Sequence, residues 1–308
     1  MAAVTGFLFH VRGIVILFPW VISLFLADIA LSLLLPFKAI APDLVYNTSS
    51  AIAWAIWRWI QVIFEVFNGA QVAISGDVLP QGESAVVVAN HVGWCDFYMI
   101  QSLAERAGML SRCRYFAKMQ LRSVPFLGWG LWAMGMPLVT RNWLRDKQEL
   151  DRVFTGIVKR QWPTWLVSFS EATRFTKEKY EQSQAWCEET NRPQPKHALY
   201  PRTKGFITTV QHLRQAPQIK AVYDLTIAYE HKGKFLEAPN MWDTMRLPEL
   251  TRTHDYKFHI HARRFLIEDL PKTDDELAKW LETIWVEKGE WLDRKKREWE
   301  MPLPEKPM

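Results

Sequence analysis

The sequence predicts an α/β protein: a mixed, largely parallel central sheet flanked by helices, preceded by hydrophobic helices suited to a membrane. Three observations lead there. Short β-rich runs alternate with helical patterns from Val72 onward, the order that builds parallel or mixed sheets with helices packed on them. Two long apolar stretches lie before that region. The chain has 308 residues, enough for a substantial core. The natural division is 1–70 as membrane-anchoring helices and 71–308 as one folded domain.

The first element is the apolar stretch Ile14 to Leu35, interrupted only by Pro19, Ser23, Asp28 and Ser32. As a helix it is roughly 33 Å long, enough to cross a bilayer core. A cleaved leader fits less well: the run is too long, its start is barely basic, and no small-residue site precedes Pro36. Asp28 is a cost within it, so the helix either spans or is tucked into one leaflet. After a Pro/Asn/Ser-rich link, Pro36 to Ser50, comes "AIAWAIWRWIQVIFEVF", Ala51 to Phe67. Its polar residues Arg58, Gln61 and Glu65 fall on one narrow helical stripe. The rest is greasy and carries Trp54, Trp57 and Trp59, the pattern of an interfacial helix or a hairpin partner of the first.

The folded region then reads in order. Strands are expected at "AVVVAN", "RCRYFAK" (Arg112–Lys118), "GMPLVT" (Gly135–Thr140), "TWLVSFS" (Thr164–Ser170) and "AVYDLTIAY" (Ala221–Tyr229). "RDKQELDRVFTGIVKR" (Arg145–Arg160) is helical, and "VPFLGWGLWAMGMPLV" (Val124–Val139) is apolar but broken by glycines. Thr273 to Glu276 forms a capping box opening a last helix with Leu277, Trp280, Leu281, Ile284 and Trp291 on one face.

Composition narrows the partners. Hydrophobic residues make up 49%, charged residues 23%, and the net charge is +5. That balance favours anions, and sixteen tryptophans favour a membrane surface over nucleic acid. No nucleic-acid-binding pattern is present, and the basic residues are scattered. Cys95, Cys113 and Cys187 are too few and odd in number for a disulfide framework, which fits a reducing compartment. The sequon at Asn47 is of a kind common by chance.

Chemistry concentrates at strand ends. Asn90 and His91 follow the run "VVVA", and Asp96 stands five positions after the histidine. A histidine can take a proton near neutral pH but needs a partner to fix its tautomer. Positions five apart do not align on a straight helix. If His91 precedes a turn, which Gly93 permits, and Asp96 lies just inside the next helix, the two can meet. "FSEATRFT" (Phe169–Thr176) bunches Glu171, Thr173 and Arg174 at another strand end. "LYPRTKGF" (Leu199–Phe206) puts Arg202, Thr203 and Lys204 in a bounded loop, and Arg141 follows "GMPLVT". Basic loops facing one His/Asp pair look like a phosphate-bearing substrate offered to a general base. His259 and His261 alternate on one strand face, but two imidazoles without a third ligand are structural rather than a metal site.

These residues, in this order, resemble the glycerophospholipid acyltransferase family that includes lysophosphatidic acid acyltransferases. The segments are N-H-x-x-x-x-D at Asn90-His91 to Asp96, "PLVTRN" with Arg141, and "FSEATR" where the family usually has F-P-E-G-T-R. The stretch from "FSEATR" to "LYPRTKGF" is most similar to the eukaryotic microsomal branch, which also covers lysophosphatidylinositol and lysocardiolipin acyltransferases. The resemblance covers roughly Val72 to Tyr229 plus the apolar N-terminal region. It implies transfer of a fatty acyl group from acyl-CoA, the co-substrate, to the free hydroxyl of a lysophospholipid, lysophosphatidic acid first. Another lysophospholipid such as lysophosphatidylinositol is the alternative acceptor. It implies no cofactor and no metal, and a membrane location, the endoplasmic reticulum with the catalytic domain facing the cytosol. His91 would be the base and Asp96 its orienting partner. Glu171, Thr173 and Arg174 would hold the lysolipid phosphate, helped by Arg141, Arg202 and Lys204. Cys95, beside Asp96, is a candidate acyl-cysteine, but a nucleophile must contact its base while Asp96 fills the orienting role.

Two positions depart from the family pattern: Ser170 replaces proline and Ala172 replaces glycine. If that glycine sits at positive φ, alanine costs about 1 kcal/mol or more. A non-catalytic lipid-binding membrane protein that kept the fold is the rival from another class. The altered "SEATR" supports it and the intact His91–Asp96 pair opposes it.

Overall fold

The computed structural model describes residues 2–124, 127–140 and 143–301. Two helices come first, α1 (Ala2–Leu33) and α2 (Pro42–Val62), joined by a short 3₁₀ turn over Leu35–Ala39. They are followed by β1 (Val72–Gly76), β2 (Ser84–Ala89), α3 (Asp96–Arg106), β3 (Cys113–Tyr115), β4 (Ala117–Lys118), α4 (Leu127–Ala133), β5 (Leu138–Val139) and α5 (Trp143–Arg160). The remainder is β6 (Trp165–Phe169), α6 (Lys177–Glu189), α7 (Thr203–Leu213), β7 (Ile219–His231), β8 (Lys234–Phe235), α8 (Asp243–Arg246), β9 (Tyr256–Leu266) and α9 (Asp274–Glu300).

The main sheet has the order β1-β9-β7-β2-β6-β3, with β8 on the end of β7. Strands β7, β2, β6 and β3 run parallel, while β9 is antiparallel to β7 and parallel to β1. The mixed, mostly parallel sheet of the sequence reading is therefore present. β2 sits at its centre, and all six of its residues are buried, which is why it reads as an unbroken apolar run. Alternate residues feed two cores. Ala85, Val87 and Ala89 face a layer of α1, α2 and α3, with Met99, Ile100 and Phe64. Val86 and Val88 face α5, α7 and α9, with Phe154, Val210, Leu281 and Trp285. "GMPLVT" supplies β5, which pairs with β4 in a separate two-stranded sheet rather than joining the main one.

The N-terminal helices differ from expectation in extent and orientation. α1 begins at Ala2 and carries Pro19 inside it. α2 absorbs most of the expected link because Pro42 is tolerated in a first helical turn, with Asp43 beside it. It closes in a single π turn over Ile63–Phe67. The polar stripe of α2 faces protein rather than headgroups. Arg58 pairs with Glu105 of α3 at 2.6 Å. Gln61 is fully buried and donates to Glu65 and to the Tyr98 carbonyl. α3 supplies acceptors to both Arg58 and Gln61, so the stripe turns inward and the greasy face turns out, with Trp54 and Trp59 exposed. Phe64, at the end of this hairpin, is fully buried and stacks on Tyr98 at 4.2 Å, so hairpin and sheet share one core.

Candidate active site

The site is built where β2 ends. Asn90 follows the last residue of the strand, and its buried side-chain amide replaces the ladder there. It accepts from the Ile227 N–H at 2.8 Å and donates to the Ile227 carbonyl at 2.9 Å. This fixes the loop onto β7. His91 comes next, with a ring stacked on Phe169 from the end of the neighbouring strand β6 (centroids 4.1 Å apart).

Residues 92–95 turn, and Asp96 is the first residue of α3. Its carboxylate returns to His91, with Oδ2 2.6 Å from Nδ1. The same oxygen accepts the backbone N–H groups of Val92 (2.7 Å) and Gly93 (3.0 Å), while Oδ1 accepts the Tyr229 hydroxyl (2.8 Å). Asp96 is fully buried. Four donors and a helix N-terminus compensate a carboxylate in that position. A carboxylate only accepts, so Nδ1 carries the proton and Nε2 of the unprotonated ring keeps its lone pair. The turn does not need glycine's conformational freedom: Gly93 is not left-handed, and a Cβ there would meet the Ala238 Cβ at 3.7 Å, an ordinary contact.

Cys95 takes no part in this arrangement. Its thiol is buried, donates to the Pro239 carbonyl, and burial pushes it well above the usual thiol range, the environment of an inert cysteine.

The "SEATR" loop wraps under His91. The Phe175 N–H donates to the His91 carbonyl at 2.7 Å, and the Glu171 Oε2 accepts the His91 N–H at 3.2 Å. Glu171 thus departs from the expectation of a phosphate-facing residue. It is buried beneath the loop and holds the His91 backbone, and burial raises its carboxyl to about 8. Thr173 is half-buried, and its hydroxyl accepts from Lys179 Nζ at 2.6 Å. Arg174 projects into solvent. The backbone N–H of Arg202 donates to the Ser170 carbonyl at 2.7 Å, bringing the start of α7 to the same strand end, with the Arg202 and Lys204 side chains exposed. Arg141 lies outside the described residues.

Several site residues gave no signal in the sequence. Tyr229 sits in an apolar strand whose alternation hides one hydroxyl aimed at Asp96. Lys179 reads as an ordinary residue of a helix start, although its ammonium also reaches the Arg174 carbonyl. Lys288 of α9 is fully buried and bonded to Asp224 (2.6 Å), the Leu225 carbonyl (2.7 Å) and Thr226 (3.2 Å). These acceptors lie on β7 immediately before the Ile227 that pins Asn90. Nothing in a helix of mixed charge marks one lysine as buried. Among the described residues, no group of three or more His, Cys, Asp or Glu side chains is placed to hold a metal ion. His259 and His261 instead share the Ser75 hydroxyl, at 2.8 and 2.9 Å.

Comparison with known proteins adds a second line. A family model described as acyltransferase matches residues 71–230, and one described as acyltransferase C-terminus matches 249–304. The chain is 29% identical over 247 residues to 1-acyl-sn-glycerol-3-phosphate acyltransferase 2 of Brassica napus, covering 79% of this chain and 60% of that protein. It is 31% identical over 265 residues to 1-acyl-sn-glycerol-3-phosphate acyltransferase delta of Homo sapiens, covering 83% of this chain and 65% of that protein. The chain thus spans less than two thirds of the length of these relatives. A crystal structure of a 1-acyl-sn-glycerophosphate acyltransferase from Thermotoga maritima aligns with a TM-score of 0.48 and 15% identity, over 90% of this chain and 98% of that one.

One substitution in the loop has a measurable consequence. Ala172 has φ +57°, in the left-handed region that favours glycine. The alanine methyl costs roughly 1–2 kcal/mol there, partly offset by the smaller backbone entropy that alanine loses on folding. Ala172→Gly is therefore expected to stabilise the protein by about 0.5–1 kcal/mol, a rise in Tm of roughly 2 °C. A thermal melt of the purified pair checks this, and a lower Tm in the glycine variant would show that the loop is not strained at that residue.

Proposed function

The chain belongs to the acyltransferase family, and from that premise we propose that it moves a fatty acyl group from acyl-CoA to the free hydroxyl of a lysophospholipid, with lysophosphatidic acid as the first acceptor. The observation that carries this reading is the His91 ring, tied through Nδ1 to the buried Asp96 and left with Nε2 to accept a proton at the end of the central strand. The choice of acceptor draws support from the relatives, named as 1-acyl-sn-glycerol-3-phosphate acyltransferases.

The chemistry follows from that geometry. Nε2 removes the proton of the acceptor hydroxyl as its oxygen attacks the thioester carbonyl. The imidazolium so formed is stabilised by the Asp96 carboxylate, already desolvated and held by its other donors. The tetrahedral intermediate then expels the coenzyme A sulfur, which takes the proton back from Nε2. The carbon–oxygen bond made in the attack becomes the ester as the carbon–sulfur bond breaks and the carbonyl re-forms, and the histidine ends as it began. Phe169 stacked on the ring and Glu171 on its backbone keep it in register. Arg174 is the residue we assign to the lysolipid phosphate, with Thr173, Lys179, Arg202 and Lys204 around it.

A membrane role fits the hairpin. α1 and the helical run Pro42–Phe67 are long and apolar enough to cross a bilayer, and Phe7, Ile14, Phe18, Leu26 and Leu33 of α1 are exposed. Yet α1 rests on the folded domain both at Arg12 and at its far end. Arg12 donates to the Met245 carbonyl and to Asn68, while the far end packs against α4. A spanning helix would carry one end a full bilayer away, so the arrangement supports a hairpin lying in one leaflet. The endoplasmic reticulum with the catalytic side in the cytosol is consistent with three free, buried cysteines.

Three measurements test these readings. His91→Ala should abolish release of free thiol from acyl-CoA on addition of lysophosphatidic acid, while the protein still folds and binds membranes. Near-normal turnover would exclude His91 as the base. Arg174→Lys should raise the apparent KM for lysolipid about tenfold and leave that for acyl-CoA unaltered, because an ammonium cannot reproduce a guanidinium's two parallel bonds to phosphate. A change confined to the acyl-CoA constant would move Arg174 to the donor site. Membrane pellets washed in high salt and alkaline carbonate should retain the protein, since burial at about 0.8 kcal/mol per methylene holds such helices firmly. Release by salt alone would mean a surface held by charge.

A further inference from the structure

Far from His91, a second cavity gathers positive charge. It has a volume of about 160 Å³ and lies between the α1–α2 turn, α5 and the start of β3. Lys38, Arg114, Arg152 and Arg160 line it, with Tyr46 and Trp162. It opens at the end of the sheet opposite the catalytic loops. Arg114 pairs in register with Leu166 and that with Val86, five residues before His91, so the separation is roughly 16 Å along the strand.

The cations are short of partners. Arg114 is 2% exposed, yet it bonds only to the Ser111 and Cys113 carbonyls and the Ser50 hydroxyl, and its Nε has none. Among the described residues, no carboxylate pairs with Lys38, Arg114 or Arg160; Arg152 has Glu149, and the nearby Asp43 accepts from the Trp162 indole. Aromatic faces do part of the work that anions would do. Arg114 lies over Tyr46 at 4.8 Å, Arg160 over Trp162 at 5.9 Å, and Lys38 over Trp132 at 4.5 Å. Burial, with Arg152 and Arg114 nearby, pushes the Lys38 ammonium down to about 8. Several cations converging on one cavity with a single paired carboxylate repel one another, and an anion between them relieves that repulsion.

The surroundings say what carries the anion. Trp132, beneath Lys38, also lines a larger apolar groove of about 740 Å³ formed with Ile29, Leu33, Leu35 and Pro36. Phe37, Ile40 and Leu44 at the rim of the turn are exposed. A cationic pocket beside an apolar groove, at the edge of an apolar surface, matches an anionic headgroup with an attached chain in charge and shape. We propose that this cavity binds the phosphate of an anionic phospholipid, whose chain lies in the adjoining groove, at a site separate from that of the substrates.

The test uses the full chain in phosphatidylcholine micelles. Replacing part of the lipid with phosphatidylglycerol, which has no role in the proposed reaction, should raise Tm by roughly 5 °C. Lys38→Met with Arg160→Gln should lose most of that rise, while Lys38→Arg with Arg160→Lys should keep it, which separates lost charge from lost folding. His91→Ala should keep it as well. No rise in the native chain, or a full rise in the neutralised variant, would overturn the proposal. So would loss of the rise in His91→Ala, which would place the lipid at the catalytic loops. An equal rise with inorganic phosphate at matched ionic strength would make free phosphate the ligand. An increased KM for acyl-CoA in the neutralised variant would make the cavity part of the donor site.

Discussion

The buried carboxylate of Asp96 is the constraint around which the site is arranged. A desolvated charge is costly unless nearly every lone pair is engaged, and here the donors come from three places: the His91 ring, the backbone N–H groups of Val92 and Gly93, and the Tyr229 hydroxyl, with the dipole of α3 added at its first residue. Each demands something of the fold. α3 must begin at Asp96, β7 must deliver Tyr229, and β2 must stop at Ala89, so that Asn90 can clamp the loop to Ile227. Alone, His91 would be one more strand-end histidine. With Asp96 held this way, its ring has one tautomer and one orientation.

A second buried charge supports the first from the other face of the sheet. Lys288 reaches from α9 to Asp224, Leu225 and Thr226, and Arg263 closes onto Asp224 through two nitrogens at 2.8 and 3.1 Å. Glu171 lies close enough for Lys288 to lower its carboxyl's affinity for protons, though burial still wins and holds it near 8. The C-terminal helix is thereby locked to the strand that carries the catalytic loop's anchor. Removing one partner of such a network leaves an unpaired buried charge, which is far more damaging than loss of a surface pair.

What could be read from the sequence follows from how local each signal is. β2 was legible because a strand buried on both faces is an apolar run, and His91 and Asp96 because a polar pair at its end is anomalous. The N-terminal hairpin was legible in its apolarity. Which way its polar stripe faces was not, because that depends on Glu105 and Tyr98, far along the chain. Glu171 had the right neighbourhood but the wrong direction: its burial is set by α9, more than a hundred residues later. Tyr229 and Lys288 were invisible for the same reason, each being an ordinary residue until the sheet brings its partner alongside. The strain at Ala172 depends on one backbone angle that no sequence pattern fixes, and that angle is left-handed.

The tautomer of His91 tests the central claim most directly. In ¹⁵N-labelled protein, long-range proton–nitrogen correlation distinguishes the two ring nitrogens in the unprotonated imidazole. The expected result is a protonated Nδ1 and a bare Nε2 in the native chain, with the two forms mixed in Asp96→Asn. A proton resident on Nε2 in the native chain would contradict it, since the ring would then have nothing with which to accept the proton of an attacking hydroxyl.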